Sequence, residues 1–299
     1  MKVFNNPNMA TSPYTFSASS RLPRLQTFRF LRACAKHIYL YFSFPYNALG
    51  VFRGVYESFE EALAAAPTTK PIGYDHKALA KVYAATTRER IATRNLRSWD
   101  MMPLVWIARI ITQNNHRITV FDFGGNVGTH FLLYQPFLAM HRIARWTVCE
   151  LPAIVAEGEA LKEHYSHIYN TETLHFTTNL GDLDTHSSSE TLFFASGAVQ
   201  YLDQTTLDGI ISKHPAHILI TRLTTTDGDT FVTLQNGGMV FYPQYVFNEA
   251  AFIALFLAGG YELIHAWNDD ATTFIPLHSK KSVHYRGFYL CLNSKEKDK

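Results

Sequence analysis

The segment Val120-Phe121-Asp122-Phe123-Gly124-Gly125-Asn126-Val127-Gly128 ends an apolar run with an acid and then opens a glycine-rich turn. The β-branched and aromatic residues at 118–121 predict a buried strand. Gly124, Gly125 and Gly128 lack the Cβ that would obstruct left-handed torsions or a close approach of backbone to ligand. Such a turn belongs at the carboxyl end of a strand, where open α/β sheets collect their ligands.

The spacing narrows the ligand. A dinucleotide fingerprint needs Gly-x-Gly-x-x-Gly, and counted from Gly124 its second and third glycines fall on Asn126 and Thr129. What remains is acid-x-Gly-x-x-x-Gly, with Asp122 two residues before the first glycine. A carboxylate there repels a pyrophosphate and suits a ligand that carries an amine and a sulfonium cation. An ordinary strand-to-helix turn of some other α/β protein is the alternative.

A second strand-end acid follows one β-α-β unit later. Trp146-Thr147-Val148-Cys149-Glu150-Leu151-Pro152 predicts a buried strand, a terminal carboxylate and a proline at the first helical position. At the tip of that strand Glu150 can accept both hydroxyl protons of a ribose. The other reading is an acid near a helix start, contributing well under ~1 kcal/mol.

The remaining pattern alternates helix and strand. Helices are expected at 153–165, 205–213 and 249–258, and strands at 174–177, 191–195, 217–221, 261–267 and 285–292. Asn248 caps the third of these helices and Gly259-Gly260 end it. This rhythm predicts right-handed crossovers and a doubly wound sheet. One insertion breaks it between Arg222 and Glu249. There, 230–234 and 239–241 flank Gln235-Asn236-Gly237-Gly238, a hairpin signal, and Tyr242 belongs to a strongly aromatic second arm. That hairpin is expected to cover the ligand crevice, or else to serve as a packing flap or dimer contact.

The amino end differs in character. Residues 1–24 are polar and expected to be mobile. In 25–42, Phe28, Leu31, Ala35, Ile38 and Phe42 recur at helical spacing opposite Arg29, Arg32 and Lys36. This basic amphipathic helix either packs across the domain or lies on an anionic membrane surface, being too short and polar to span one. The expected organisation is a disordered 1–24, a helical extension or lid at 25–115, and a ligand-binding domain at 116–293. With 299 residues, 47% of them hydrophobic, the chain suffices for one large core. A formal charge of +2 does not suggest nucleic acid as partner. Three scattered cysteines indicate a reducing, cytoplasmic compartment. Asp269-Asp270 and His265, His278 and His284 lack ligand spacing for a metal, so a solvated loop is expected there. Ser187-Ser188-Ser189 reads as polar loop, and Ser196-Gly197 lacks the frame of a nucleophile elbow.

Several segments together resemble the uncharacterised S-adenosylmethionine (SAM) dependent methyltransferases of bacteria. They are Phe52-Arg53-Gly54-Val55-Tyr56, Gly73-Tyr74-Asp75, the glycine loop, Trp146 with Glu150-Leu151-Pro152, and Ser196-Gly197-Ala198-Val199-Gln200-Tyr201-Leu202. Ile220-Thr221-Arg222 and Tyr242-Pro243 match less distinctively, and the likeness spans roughly residues 50 to 293. It implies a Rossmann-like class I sheet of seven strands with the last antiparallel, and SAM as cofactor. On that basis Asp122, Gly124, Gly125, Asn126, Gly128, Glu150, Leu151 and Ser196 are expected to hold the cofactor. His130 and Tyr201 are the candidates for a catalytic base, and Arg222 and Tyr242 for acceptor binding. The Glu-Leu-Pro turn is similar to that of small-molecule O-methyltransferases, which favours a hydroxyl on a small molecule or glycan. A silent SAM-binding relative, and a nicotinamide or sugar-nucleotide enzyme, remain the alternatives. A homodimer is a further expectation.

Overall fold

A computed structural model describes residues 22–183, 190–278 and 282–293, with backbone alone for 22–30, 33 and 270–272. Residues 1–21 and Ser187-Ser188-Ser189, expected above to be mobile tail and polar loop, lie outside the described residues. The elements are α1 (Leu22–Ser43), β1 (Phe52–Tyr56), α2 (Phe59–Ala64), α3 (Lys77–Thr93), α4 (Ser98–Gln113), β2 (Ile118–Phe123), α5 (Thr129–Tyr134), β3 (Ile143–Cys149) and α6 (Pro152–Tyr165). They continue with β4 (Leu174–Thr177), β5 (Thr191–Ser196), α7 (Gln204–Ser212), β6 (His217–Thr226), β7 (Phe231–Asn236), β8 (Phe241–Asn248), α8 (Glu249–Ala258), β9 (Tyr261–Phe274) and β10 (Ser282–Leu292).

Five strands run parallel in the order β4-β3-β2-β5-β6. β10 then pairs antiparallel with β6, and β9 pairs with β10 at the edge. These are the seven expected strands of a Rossmann-like α/β sheet, the last antiparallel. Three further strands, β1, β7 and β8, form an antiparallel group that joins β6 through Thr225 opposite Phe247 and Thr226 opposite Asn248.

Alternate residues of the central strands supply two cores, because both faces of a parallel sheet are covered. Val120, Trp146, Leu192 and Phe194 face a cluster with Ala84, Ile107, Phe131 and Leu161 of α3 to α6. Phe121, Phe193, Ala195 and Ile218 face Leu207, Ile210, Phe252 and Phe256 of α7 and α8.

The amino-terminal reading needs correction. The helix begins at Leu22, so 22–24 are helical, with Pro23 tolerated in the first turn. Segment 25–115 is not wholly helical either, since β1 pairs along β7, and α3 and α4 are part of the sheet's own core. α1 meets the rest through the His37 ring against Phe274 and through Leu277 N–H donating to His37 Nδ1. Its Leu31, Ile38 and Phe42 remain exposed. No helix among the described residues is long and apolar enough to cross a membrane. Asp269 is also corrected: β9 runs through it, paired to β10, and it is buried rather than solvated.

Candidate functional site

From β2 the chain steps outward to β3 and β4, then returns to the other side of β2 as β5. That reversal leaves a crevice at the carboxyl ends of β2 and β5, the place where open α/β sheets bind ligands. A cavity of about 840 Å³ opens there, at the upper end of the ~300–1,000 Å³ span of small-molecule sites. The loops after β2 and β3 supply Gly124, Asn126, Glu150 and Leu151 to its wall, the last residue of β5 supplies Ser196, and β6 supplies Arg222. His130, Tyr201 and Tyr242 line it too. The sequence candidates Asp122, Gly125 and Gly128 do not.

The glycine loop and the acid after β3 are locked to each other. Asn126 N–H donates to Glu150 Oε1 at 3.0 Å, and Leu151 N–H donates to Oε2 at 3.0 Å. Asn126 sits at φ 59°, a left-handed torsion that asparagine tolerates better than other non-glycine residues, and its Oδ1 accepts from Val127 N–H. The departure from glycine at this position therefore preserves the turn. Burial drives the Glu150 carboxyl up to about 7, against the two amide donors that favour its ionised form. Two backbone donors leave lone pairs on both oxygens for a ligand diol.

Asp122 lies beneath the loop rather than in the cavity wall. It is fully buried, and its Oδ2 accepts from Trp146 Nε1 at 3.1 Å and from His130 Nδ1 at 3.2 Å. Oδ1 has no hydrogen-bond partner among the described residues. A Cβ on Gly125 would lie 2.5 Å from the Asp122 carboxyl carbon, so the glycine is what lets the turn pass over the acid. Gly125→Ala is accordingly expected to destabilise by about 1–3 kcal/mol, the usual cost of overpacking. Thermal unfolding checks this, and an unchanged Tm would contradict the packing of the loop on Asp122.

Tyr74, ahead of α3, donates or accepts a 2.7 Å hydrogen bond with the Tyr201 hydroxyl. Its ring stacks on Tyr242 at 4.2 Å between centroids. Burial pushes the Tyr74 and Tyr201 phenols well above their ordinary range and raises Tyr242 as well. Tyr201 is therefore a neutral phenol already tied to a neighbour, which conflicts with service as a base. Asp75 Oδ1 accepts from Ala153 N–H in the first turn of α6, fixing this segment over the crevice.

Sequence reading missed most of the wall that α3 and α4 provide. Tyr83, Thr87, Arg90, Arg97 and Trp99 line the cavity, and Asp100 is ion-paired with Arg90. The signals for it are the helical extension or lid expected at 25–115 and Gly73-Tyr74-Asp75 within the resemblance. Arg222, by contrast, reaches the cavity as expected. It sits at φ 54° in a β-bulge, where Thr221 and Arg222 together oppose Gly287 of β10. Bulges re-aim side chains beside functional sites, and Asp269 stabilises this one by accepting Arg222 N–H at 2.7 Å and Trp267 Nε1–H at 3.0 Å.

No family model and no curated protein sequence matches the chain. Among solved structures, a SAM-dependent methyltransferase from Clostridium acetobutylicum is similar at 8% identity, with a TM-score of 0.45, covering 70% of this chain and 98% of that one. The 1,6-didemethyltoxoflavin-N1-methyltransferase of Burkholderia thailandensis is similar at 15% identity and TM-score 0.43, covering 77% and 95%. Magnesium protoporphyrin IX methyltransferase from Synechocystis PCC 6803 stands at 10% and 0.44, covering 74% and 99%. At such identities and TM-scores, these likenesses do not bear on what this chain binds or does.

Proposed function

We propose that this chain is a SAM-dependent methyltransferase acting on a hydroxyl of a small molecule or glycan. The observation that carries the reading is the Glu150 carboxylate, held open to the switch-point cavity by the amides of Asn126 and Leu151. The residues fit the cofactor. Glu150 offers paired acceptors for a ribose diol, Gly124 offers backbone without a side chain, and Leu151 is partly exposed at the rim. When bound, SAM supplies an electrophilic methyl group on a sulfonium.

The chain's own part is positioning and proton handling. An in-line displacement gains most from holding donor and acceptor near attack distance, which a walled cavity of this size favours. A hydroxyl acceptor needs a proton taken or its oxygen oriented. His130 Nδ1 lies 3.2 Å from Asp122 Oδ2, and with the carboxylate as acceptor the proton belongs on Nδ1, which leaves Nε2 to take the proton of the hydroxyl. Asp122 is then a positioning residue that fixes the tautomer, and Tyr201 orients as a neutral phenol. Titration of S-adenosylhomocysteine into the full chain, followed by thermal unfolding, tests the assignment. Saturable stabilisation by it and none by NADPH is expected, and the reverse pattern would transfer the site to nicotinamide chemistry.

A further inference from the structure

Three arginines line the cavity, Arg90, Arg97 and Arg222. Its acidic lining residues are Asp100 and Glu150. Asp100 is ion-paired with Arg90 and also accepts Arg97 N–H at 2.7 Å, while Glu150 is bonded to two backbone amides. Arg97 and Arg222 line the same cavity, and neither guanidinium has a carboxylate within ion-pair distance among the described residues. Both lie over the Trp99 ring, Arg222 at 4.8 Å and Arg97 at 5.2 Å from its centroid. Tyr242 and Tyr285 line the same cavity as Arg222, whose charge favours their ionised forms.

The backbone at Arg222 is shaped for this. A non-glycine residue in the left-handed region is strained and persists only where its surroundings enforce it. Here the enforcing group is buried Asp269, which binds the bulge amide and leaves the side chain to the cavity. A planar guanidinium on an aromatic face is preorganised to meet carboxylate or phosphate oxygens.

We propose that Arg222 and Arg97, beside Trp99, form a receptor for an anionic group, a carboxylate or a phosphate monoester, on a ring-bearing small molecule that lies against Tyr74 and Tyr242. The proposal rests on the methyltransferase reading only in naming that molecule as the methyl acceptor.

Calorimetry on the full chain, with and without S-adenosylhomocysteine, tests it using 4-hydroxybenzoate, phenyl phosphate and the neutral 4-hydroxybenzamide. At least one anion is expected to bind on the order of tenfold more tightly than the amide, and the preferred one identifies the group. Arg222→Gln is expected to remove most of that margin and Arg97→Gln part of it, with affinity for S-adenosylhomocysteine unchanged in both. Equal binding of amide and anions, no binding of any probe, or full anion affinity in the double variant overturns the proposal. Should Arg222→Gln fail to fold, Arg97→Gln and the wild-type salt dependence decide, since anion affinity indifferent to added NaCl also overturns it. If the anions bind through the arginines while S-adenosylhomocysteine does not bind, the receptor stands and the methyltransferase reading falls.

Discussion

Glu150→Ala is expected to abolish saturable binding of S-adenosylhomocysteine, a loss on the order of a hundredfold or more, while the chain stays folded. A charged acceptor taking two hydroxyl protons contributes roughly 1.5–3 kcal/mol per bond, and the substitution removes both together. It also frees the amides of Asn126 and Leu151, which hold the glycine loop to the end of β3. The pH dependence follows from the same group. Its carboxyl titrates at about 7 in the folded chain against 4.5 ordinarily, so folding without ligand takes up a proton between those values. Stability from the neutral carboxyl is present below pH 4.5 and is lost as pH rises through about 7. Ligand binding has the opposite sign, because the diol needs the ionised form. Affinity should fall by up to about tenfold per unit as pH drops below 7. Between those limits the free chain's Tm therefore falls with rising pH while ligand-induced stabilisation grows, and Glu150→Gln flattens both trends. Parallel slopes for wild type and Glu150→Gln would remove Glu150 from the ligand.

What could be read in the sequence was local. Glu150 and Gly124 announce themselves because a strand-end acid and a glycine turn are recognisable within one β-α unit. Asn126 stands where a dinucleotide fingerprint has glycine, and its left-handed torsion shows how asparagine serves there. The opposite wall was illegible because its contacts are distant in the chain. Tyr74 meets Tyr201 across 127 residues, and Asp75 reaches Ala153 across 78. Neither leaves a periodic trace, and β1 carried no sign of its partner strand β7. Arg222 was a reasonable candidate by position, yet its aim depends on a bulge against Gly287 and on Asp269, a residue that its polar surroundings in sequence marked as loop. Asp122 is legible as a strand-end acid, but the sequence does not show that Trp146 and His130 draw its carboxylate inward.

That inward contact makes Asp122 separable from the cofactor by experiment. Asp122→Asn keeps an oxygen for Trp146 Nε1, so the fold should lie within about 1 kcal/mol of wild type. Asp122→Ala leaves the indole N–H of fully buried Trp146 without its acceptor and frees the His130 ring, at a cost of about 2–3 kcal/mol and a Tm lower by several degrees. Relief of the carboxylate's own burial offsets part of this, since Oδ1 has no hydrogen-bond partner among the described residues. A residue in direct contact with the donor would weaken S-adenosylhomocysteine binding in either variant. For a positioning residue, Asp122→Asn leaves that affinity within about threefold and lowers kcat for a hydroxyl acceptor by roughly 10²-fold, because the neutral amide oxygen still receives His130 Nδ1–H but no longer stabilises the imidazolium that forms. His130→Ala should then reproduce the kcat loss, and adding Asp122→Asn to it should cost little more, because both act on one proton. Full turnover in His130→Ala would exclude the base; tighter dependence of the donor's Kd on Asp122 than on Glu150 would return the buried carboxylate to the ligand.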